Sequence, residues 1–95
     1  MTINQLNYVI TVADSRSMNE AAKTLFISQP CLSAAIRELE TEIGIDIFRR
    51  NNRGVSVTPE GMEFLGYARQ MIEQYRLMEE KFIEKKMQKD KLCKV

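Results

Sequence analysis

The chain has two prolines, Pro30 and Pro59, and after Pro59 it meets no further proline in its 95 residues. Thr58-Pro59-Glu60 supplies a hydroxyl for the N-cap, a proline where no N–H is needed, and an acid beside the positive end of the helix dipole. The pattern predicts a helix that opens at Pro59 and runs to about Lys89. At about 1.5 Å per residue such a helix is a rod near 45 Å long. A chain of this size buries only about 60 to 65% of its unfolded surface, which allows one small core. That core cannot cover the rod, so much of the helix must find another partner. The organisation expected is a compact unit over 1–58, a long helix over 59–90 and a tail over 91–95.

Upstream of Pro59 the helix punctuation is dense. Thr2 and Gln5 have capping-box spacing, and Ile3, Leu6, Ile10 and Ala13 recur at helical intervals with Val9 alongside, to about Asp14. Ser17 and Glu20 form a second box ahead of Met18, Ala21, Ala22 and Leu25, a short second helix. Ser28 caps a third, with Pro30 in its first turn, an apolar stripe of Leu32, Ile36, Leu39 and Ile43, and Gly44 as the left-handed stop. After Gly44 the period changes. Ile45, Ile47 and Phe48 lead into Arg49-Arg50-Asn51-Asn52-Arg53-Gly54, and Val55-Ser56-Val57 alternates, which fits two short strands joined by an Asn/Arg/Gly turn.

Composition removes whole classes of function. There is no histidine, and the two cysteines, Cys31 and Cys93, are far apart in sequence, so no metal site or redox motif is expected. The acids lie in charge-mixed helical segments rather than in any constellation of nucleophile, base and oxyanion donors, so the chain is expected not to be an enzyme and to need no cofactor. Cys31 reads as a small packing residue, and the six methionines as core filler. No apolar run approaches the length of a membrane span or a signal peptide, which predicts a cytosolic protein. The segment from Lys81 to Val95, with six lysines and two acids, reads as a solvated helix end and tail.

A short helix, a tight turn and a longer capped helix have the layout of a helix-turn-helix, in which the second of the pair lies in the major groove of DNA. On the outer face of the third helix lie Pro30, Ser33, Ala34, Arg37 and Thr41. Gln29 carries the donor and acceptor that pair with an adenine edge, Ser33 can reach a base or phosphate, and Ala34 can lie on a thymine methyl. Glu38, Glu40 and Glu42 would be repelled by phosphate, so only the first half of the helix is expected in the groove. Residues 47–59 hold Arg49, Arg50 and Arg53 and no acid, which suits contact with phosphates or with a narrow minor groove. The rival is a helical dimerisation or adaptor module that uses the same fold for protein contacts, and the near-zero net charge of +1 keeps it open.

Ala21-Ala22, Leu25, Ser28-Gln29-Pro30, Ser33, Ile36, Leu39-Glu40, Gly44, Phe48-Arg49-Arg50 and Thr58-Pro59-Glu60-Gly61 together resemble the N-terminal winged helix-turn-helix of LysR-type transcriptional regulators, over residues 1 to about 90. The resemblance implies a mainly α fold of three helices and a two-stranded wing, followed by a linker helix. It implies a bacterial regulator that binds double-stranded promoter DNA, with Gln29, Pro30 and Ser33 at the major groove and Arg53 reaching the minor groove; the reading of the residues themselves adds Ser28, Ala34 and Arg37 on the third helix and Arg49 and Arg50 on the wing. It also implies a homodimer, with a tetramer open to the full-length protein, and a small-molecule effector acting only through a C-terminal domain. Lys91-Leu92-Cys93-Lys94-Val95 is similar to the start of that domain's first strand.

The long helix carries a seam of its own: Phe64, Ala68, Met71, Tyr75, Met78 and Phe82 are spaced 4, 3, 4, 3, 4. Leu65, Ile72 and in part Phe64 are expected to pack on the first helix of the same chain. The rest of the seam is expected to pair with a second copy, and the resemblance implies that two such linker helices pair antiparallel and set two recognition helices on successive turns of DNA.

Overall fold

The first three helices each start on a hydroxyl that accepts a backbone N–H. In the computed structural model, which describes the backbone of residues 1–93 and the side chains of residues 1–83, these are α1 (Ile3–Ser15), α2 (Met18–Leu25) and α3 (Gln29–Ile43). Thr2 Oγ1 accepts from Gln5 N at 3.1 Å and Thr2 N donates to Gln5 Oε1 at 3.0 Å, closing the predicted box. Gln5 is buried, and its amide nitrogen also donates to the Ala35 carbonyl at 3.4 Å, which ties α1 to α3. Ser17 accepts from Glu20 N at 3.2 Å, but only this half of the second box forms, because the Glu20 carboxylate turns to Lys23 at 3.6 Å. Ser28 accepts from Cys31 N at 3.2 Å. All three helices stop on a left-handed residue: Arg16 (φ 55°), Phe26 (φ 58°) and Gly44 (φ 74°). Gly44 adopts it freely, whereas Arg16 and Phe26 each carry a Cβ penalty of about 1 kcal/mol.

The core is sealed by Val9, Val12, Leu32, Leu39 and Ile47, all fully buried. On α1 the deepest residues are Leu6, Val9 and Val12, while Ile3, Ile10 and Ala13 are only partly covered. Leu6 and Val9 are buried as expected and Ile10 and Ala13 pack on the edge of the core, while Val12 joins the buried face because α1 is packed by α2, α3 and α4 from several sides rather than from one. On α3 the stripe is as expected, with Leu32, Ile36 and Leu39 buried and Ile43 half-buried. Of the methionines, Met18 fills the core but Met62, Met71 and Met78 are exposed, and Cys31 is exposed as well rather than packed.

Two antiparallel strands, β1 (Phe48–Asn51) and β2 (Gly54–Val57), form the ribbon in the register Phe48↔Val57, Arg49↔Ser56, Arg50↔Val55 and Asn51↔Gly54. The connection is Asn52-Arg53, with Asn51 Oδ1 accepting from Arg53 N at 2.9 Å. The ribbon is docked on the end of α1. Val55 N donates to the Arg16 carbonyl at 3.3 Å, and a Cβ on Gly54 would lie 2.7 Å from that same oxygen.

Ile47 is the junction of the molecule. Glu40 Oε2 accepts from Ile47 N at 2.7 Å and Phe48 N at 3.2 Å, pinning the start of β1 to α3. Thr58 N donates to the Ile47 carbonyl at 2.9 Å, the Thr58 hydroxyl donates to the Asp46 carbonyl, and the same hydroxyl accepts from Gly61 N at 2.9 Å. Glu40 is thus a structural clamp and not one of the solvated acids it resembles in sequence. Glu40→Ala leaves two N–H groups without their acceptor and is expected to lower stability by about 2 kcal/mol. Chemical denaturation followed by circular dichroism checks this, with Glu38→Ala, at an exposed site, changing stability by less than about 0.5 kcal/mol.

From Pro59 the fourth helix, α4, runs to Cys93, and the molecule measures 60 × 25 × 20 Å. Lys91, Leu92 and Cys93 continue this helix, so the strand expected to begin at Lys91 is not there, and Lys94 and Val95 lie outside the described residues. No glycine or proline follows Gly66, and an established helix propagates more readily than it stops. Among the described residues no helix is long and apolar enough to cross a membrane.

Candidate nucleic-acid interface

The α2–α3 corner turns on Phe26 and Ile27 before the Ser28 cap, and it presents the beginning of α3 to solvent. Ser28, Gln29, Pro30, Ala34 and Arg37 are exposed and Ser33 is half-buried. Gln29 shares a shallow groove of about 210 Å³ with Ser17 and Asn19 of the α2 N-terminus and with Arg50 and Asn51 of the ribbon. The N-terminal ends of two helices and both strands of the ribbon therefore face one space. Phe26, 94% exposed, stands on the corner.

Strand alternation separates the three ribbon arginines that the sequence places together at a tip. Arg53 alone occupies the turn. Arg49 is opposite Ser56 on the outer face, while Arg50 is opposite Val55 on the core-facing side and donates from Nη2 to Ser33 Oγ at 2.9 Å. Arg50 thus crosses from the ribbon to α3.

Charge pairing divides the arginines in the same way. Arg69 bonds Asp14 at 2.7 Å, and Arg76 bonds both Glu73 and Glu80 along α4. The hydrogen bond from Arg76 holds the Glu73 carboxyl below its ordinary value, and Glu73 in turn raises the Arg76 guanidinium. A depressed carboxyl favours the helix above its unfolded value and loses that contribution as pH falls through the folded one. In contrast, among the described residues Arg16, Arg37, Arg49, Arg50 and Arg53 have no acidic partner. Arg16 is absent from the sequence-derived site. Its position at the left-handed cap where the ribbon docks adds a cation at the ribbon root, and the turn-like Ser15-Arg16-Ser17 between two capped helices was the only signal for it.

The α4 seam is also divided. Ala68 is 2% exposed and Phe64 is half-buried, because both face α1, so Ala68 presents nothing to a second chain. Leu65 is buried and Ile72 half-buried, as expected. Met71, Tyr75, Met78 and Phe82 remain exposed, at 55%, 39%, 53% and 59%. Tyr67, 67% exposed, begins this stripe one turn before Met71, and its i, i+4 spacing to Met71 marks it in the sequence.

The family model described as bacterial regulatory helix-turn-helix protein, lysR family, matches residues 3–62, more than half of the chain. The chain belongs to the LysR family. Among LysR-family relatives, the HTH-type transcriptional regulator TfdS of Cupriavidus pinatubonensis is 41% identical over 73 residues, which is 77% of this chain and 25% of that protein. BenM of Acinetobacter baylyi is 43% identical over 68 residues, 72% of this chain and 22% of BenM. The chain therefore spans about a quarter of the length of these relatives. A crystal structure of the BenM DNA-binding domain in complex with catB site 1 DNA superimposes with a TM-score of 0.84 at 36% identity, covering 88% of this chain and 94% of that one. The LysR-family regulator CbnR superimposes at 0.81 and 34% identity, over 85% of this chain and 28% of CbnR. The fold is the winged helix-turn-helix of this family, with a long helix following the wing.

Proposed function

We propose that the chain is the sequence-specific DNA-binding module of a transcription regulator, with residues 1–58 as the reading unit and α4 from residue 59 as the linker that joins two copies. The observation that carries this reading is the set of five arginines that have no acidic partner among the described residues, all on α3, the ribbon or the ribbon root. Unneutralised cations around an exposed helix start suit a polyanion, while net charge near zero keeps contact elsewhere weak. The likeness to a domain crystallised on DNA supports the same assignment. In it, Ser28, Gln29, Pro30, Ser33, Ala34 and Arg37 face the major groove, Arg49 meets phosphate and Arg53 enters the minor groove. The module binds rather than catalyses, its setting is the cytoplasm, and a small-molecule effector acts on the longer regulator through a C-terminal domain outside this chain. A protein adaptor would leave the five arginines without a purpose.

The test is binding to DNA selected from random sequence. Gln29→Ala is expected to cost about 1 to 3 kcal/mol on the selected site and almost nothing on unrelated DNA, because an adenine edge offers Gln29 a paired donor and acceptor. Unchanged affinity and consensus for Gln29→Ala would move sequence reading to another surface. Failure of the parent chain to bind any DNA in a salt-dependent way would favour the adaptor.

A further inference from the structure

Resting on the reading just given, we infer that Arg50 is a positioning residue that holds the Ser33 hydroxyl and biases it toward donation, so that Ser33 prefers hydrogen-bond acceptors, above all a purine N7, in the major groove. A serine hydroxyl has one proton to donate and two lone pairs with which to accept, and in water it turns to suit either kind of partner. An arginine has only donors. The 2.9 Å contact from Arg50 Nη2 to Ser33 Oγ can therefore have one direction only: the guanidinium donates and the hydroxyl accepts. One of the two lone pairs is occupied, and the guanidinium charge draws electron density from the oxygen, which makes the hydroxyl a stronger donor and a weaker acceptor.

Where that proton goes is the second half of the argument. Hydroxyls inside helices commonly satisfy themselves on the carbonyl four residues back. Thr11 does so on Asn7 at 2.8 Å and Thr24 on Glu20 at 3.0 Å. Ser33 makes no such bond among the described residues, although it sits within α3. Among the described residues its proton has no acceptor, and Ser33 is half-buried at the edge of a cleft of about 80 Å³ shared with Arg37, Glu40, Phe48 and Arg50. Half-burial and the guanidinium clamp restrict rotation of the hydroxyl, so the donor is aimed before any ligand arrives.

The chemistry of the groove then selects the partner. Guanine offers N7 and O6 as acceptors, adenine N7 and thymine O4, whereas cytosine shows a donor. A hydroxyl biased toward donation, with a cation beside its oxygen, therefore disfavours cytosine relative to the other bases more than a serine without that neighbour does. A phosphate oxygen is an acceptor too, but a site committed to phosphate would read no sequence. Arg50 does its work through Ser33 and not as a phosphate contact, which separates it from its neighbour Arg49 on the opposite face of the ribbon.

The experiment uses the full chain and an operator selected with it, measured by equilibrium binding over a salt series. The variants are Ser33→Ala, Arg50→Ala and the pair together, with thermal melting to confirm that each remains folded. Each purine of the operator is replaced in turn by its 7-deaza analogue, and individual phosphates by methylphosphonates. One 7-deaza position is expected to weaken the parent about tenfold, the change equivalent to one well-made hydrogen bond. Ser33→Ala is expected to lose about tenfold on the unmodified operator and to ignore that 7-deaza substitution, whereas Arg50→Ala is expected to lose a few-fold there and to bind better than the parent when that purine is replaced by cytosine. The double variant should be no worse than Ser33→Ala, and Arg50→Ala should keep the parent's salt slope.

Additive losses in the double variant, or a fall of about one in the salt slope for Arg50→Ala on every sequence, would make Arg50 an ordinary phosphate contact and overturn the inference. Loss on a methylphosphonate in place of a 7-deaza position would overturn it too, by assigning the Ser33 proton to the backbone. A parent chain that binds no sequence preferentially defeats instead the proposed function on which the inference rests, and the two failures are told apart by the parent alone.

Discussion

Gly61→Ala is expected to remove about 3 kcal/mol of stability, a large share of the total for a domain of this size. The methyl group would sit 2.3 Å from the Ile47 carbonyl oxygen, and that oxygen cannot move aside because it accepts from Thr58 N at 2.9 Å. Ile47 is also fully buried and its own N–H is held by Glu40, so the clash must be relieved by shifting α4 or by breaking the clamp. Gly66→Ala, one helical turn and a little further on, is the internal control. A Cβ there meets nothing within 4 Å, and the change should stabilise the helix by about 0.5 to 1 kcal/mol through the lower helix propensity of glycine. Urea denaturation of the two variants in parallel checks the contrast. Equal midpoints would mean that the α4 start has room the geometry denies.

Charging the exposed stripe of α4 should have an effect of similar size on assembly while leaving the fold alone. With Met71→Glu and Tyr75→Glu together, the chain is expected to sediment as a monomer where the parent is a dimer, because like charges would be buried in an apolar contact without partners. Affinity for an operator with two half-sites should then fall at least 100-fold, since the second half-site is no longer bound as an intramolecular event. Affinity for a single half-site and the melting temperature should hardly change, because both side chains are exposed in the folded chain. A parent chain that sediments as a monomer would remove the stripe from the account of dimerisation. Tyr67→Glu, on the same stripe, is expected to weaken the dimer as well.

What could be read from the sequence was mostly what is local. The Thr2, Ser17 and Ser28 caps, the Gly44 stop and the Leu32, Ile36 and Leu39 stripe each depend on residues within a turn or two of one another, so spacing alone reveals them. What spacing cannot reveal are contacts between distant segments. Glu40 and Glu38 look alike as letters, but only Glu40 points at the incoming strand, and the Arg50–Ser33 bond depends on how the ribbon folds back over α3. Ala68 illustrates a further ambiguity. On α4 the face turned to α1 and the face left open adjoin along the same heptad pattern, so periodicity marks both without showing where one gives way to the other. The strand anticipated at Lys91 failed for the reverse reason: a five-residue similarity says little against the propensity of a long helix to continue.

The fixation of Ile47 gives the molecule a mechanical character. Glu40 restrains its N–H, Thr58 restrains its carbonyl, and Gly61 leaves no slack above it. No compliant joint is left between α3, the ribbon and the first turn of α4, so the rod behaves as a lever arm rigidly coupled to the reading head. In the proposed dimer a torque applied at its far end would be delivered to α3 as rotation of the whole head, and the angle between two such levers would fix the curvature of any duplex that both heads gripped at once.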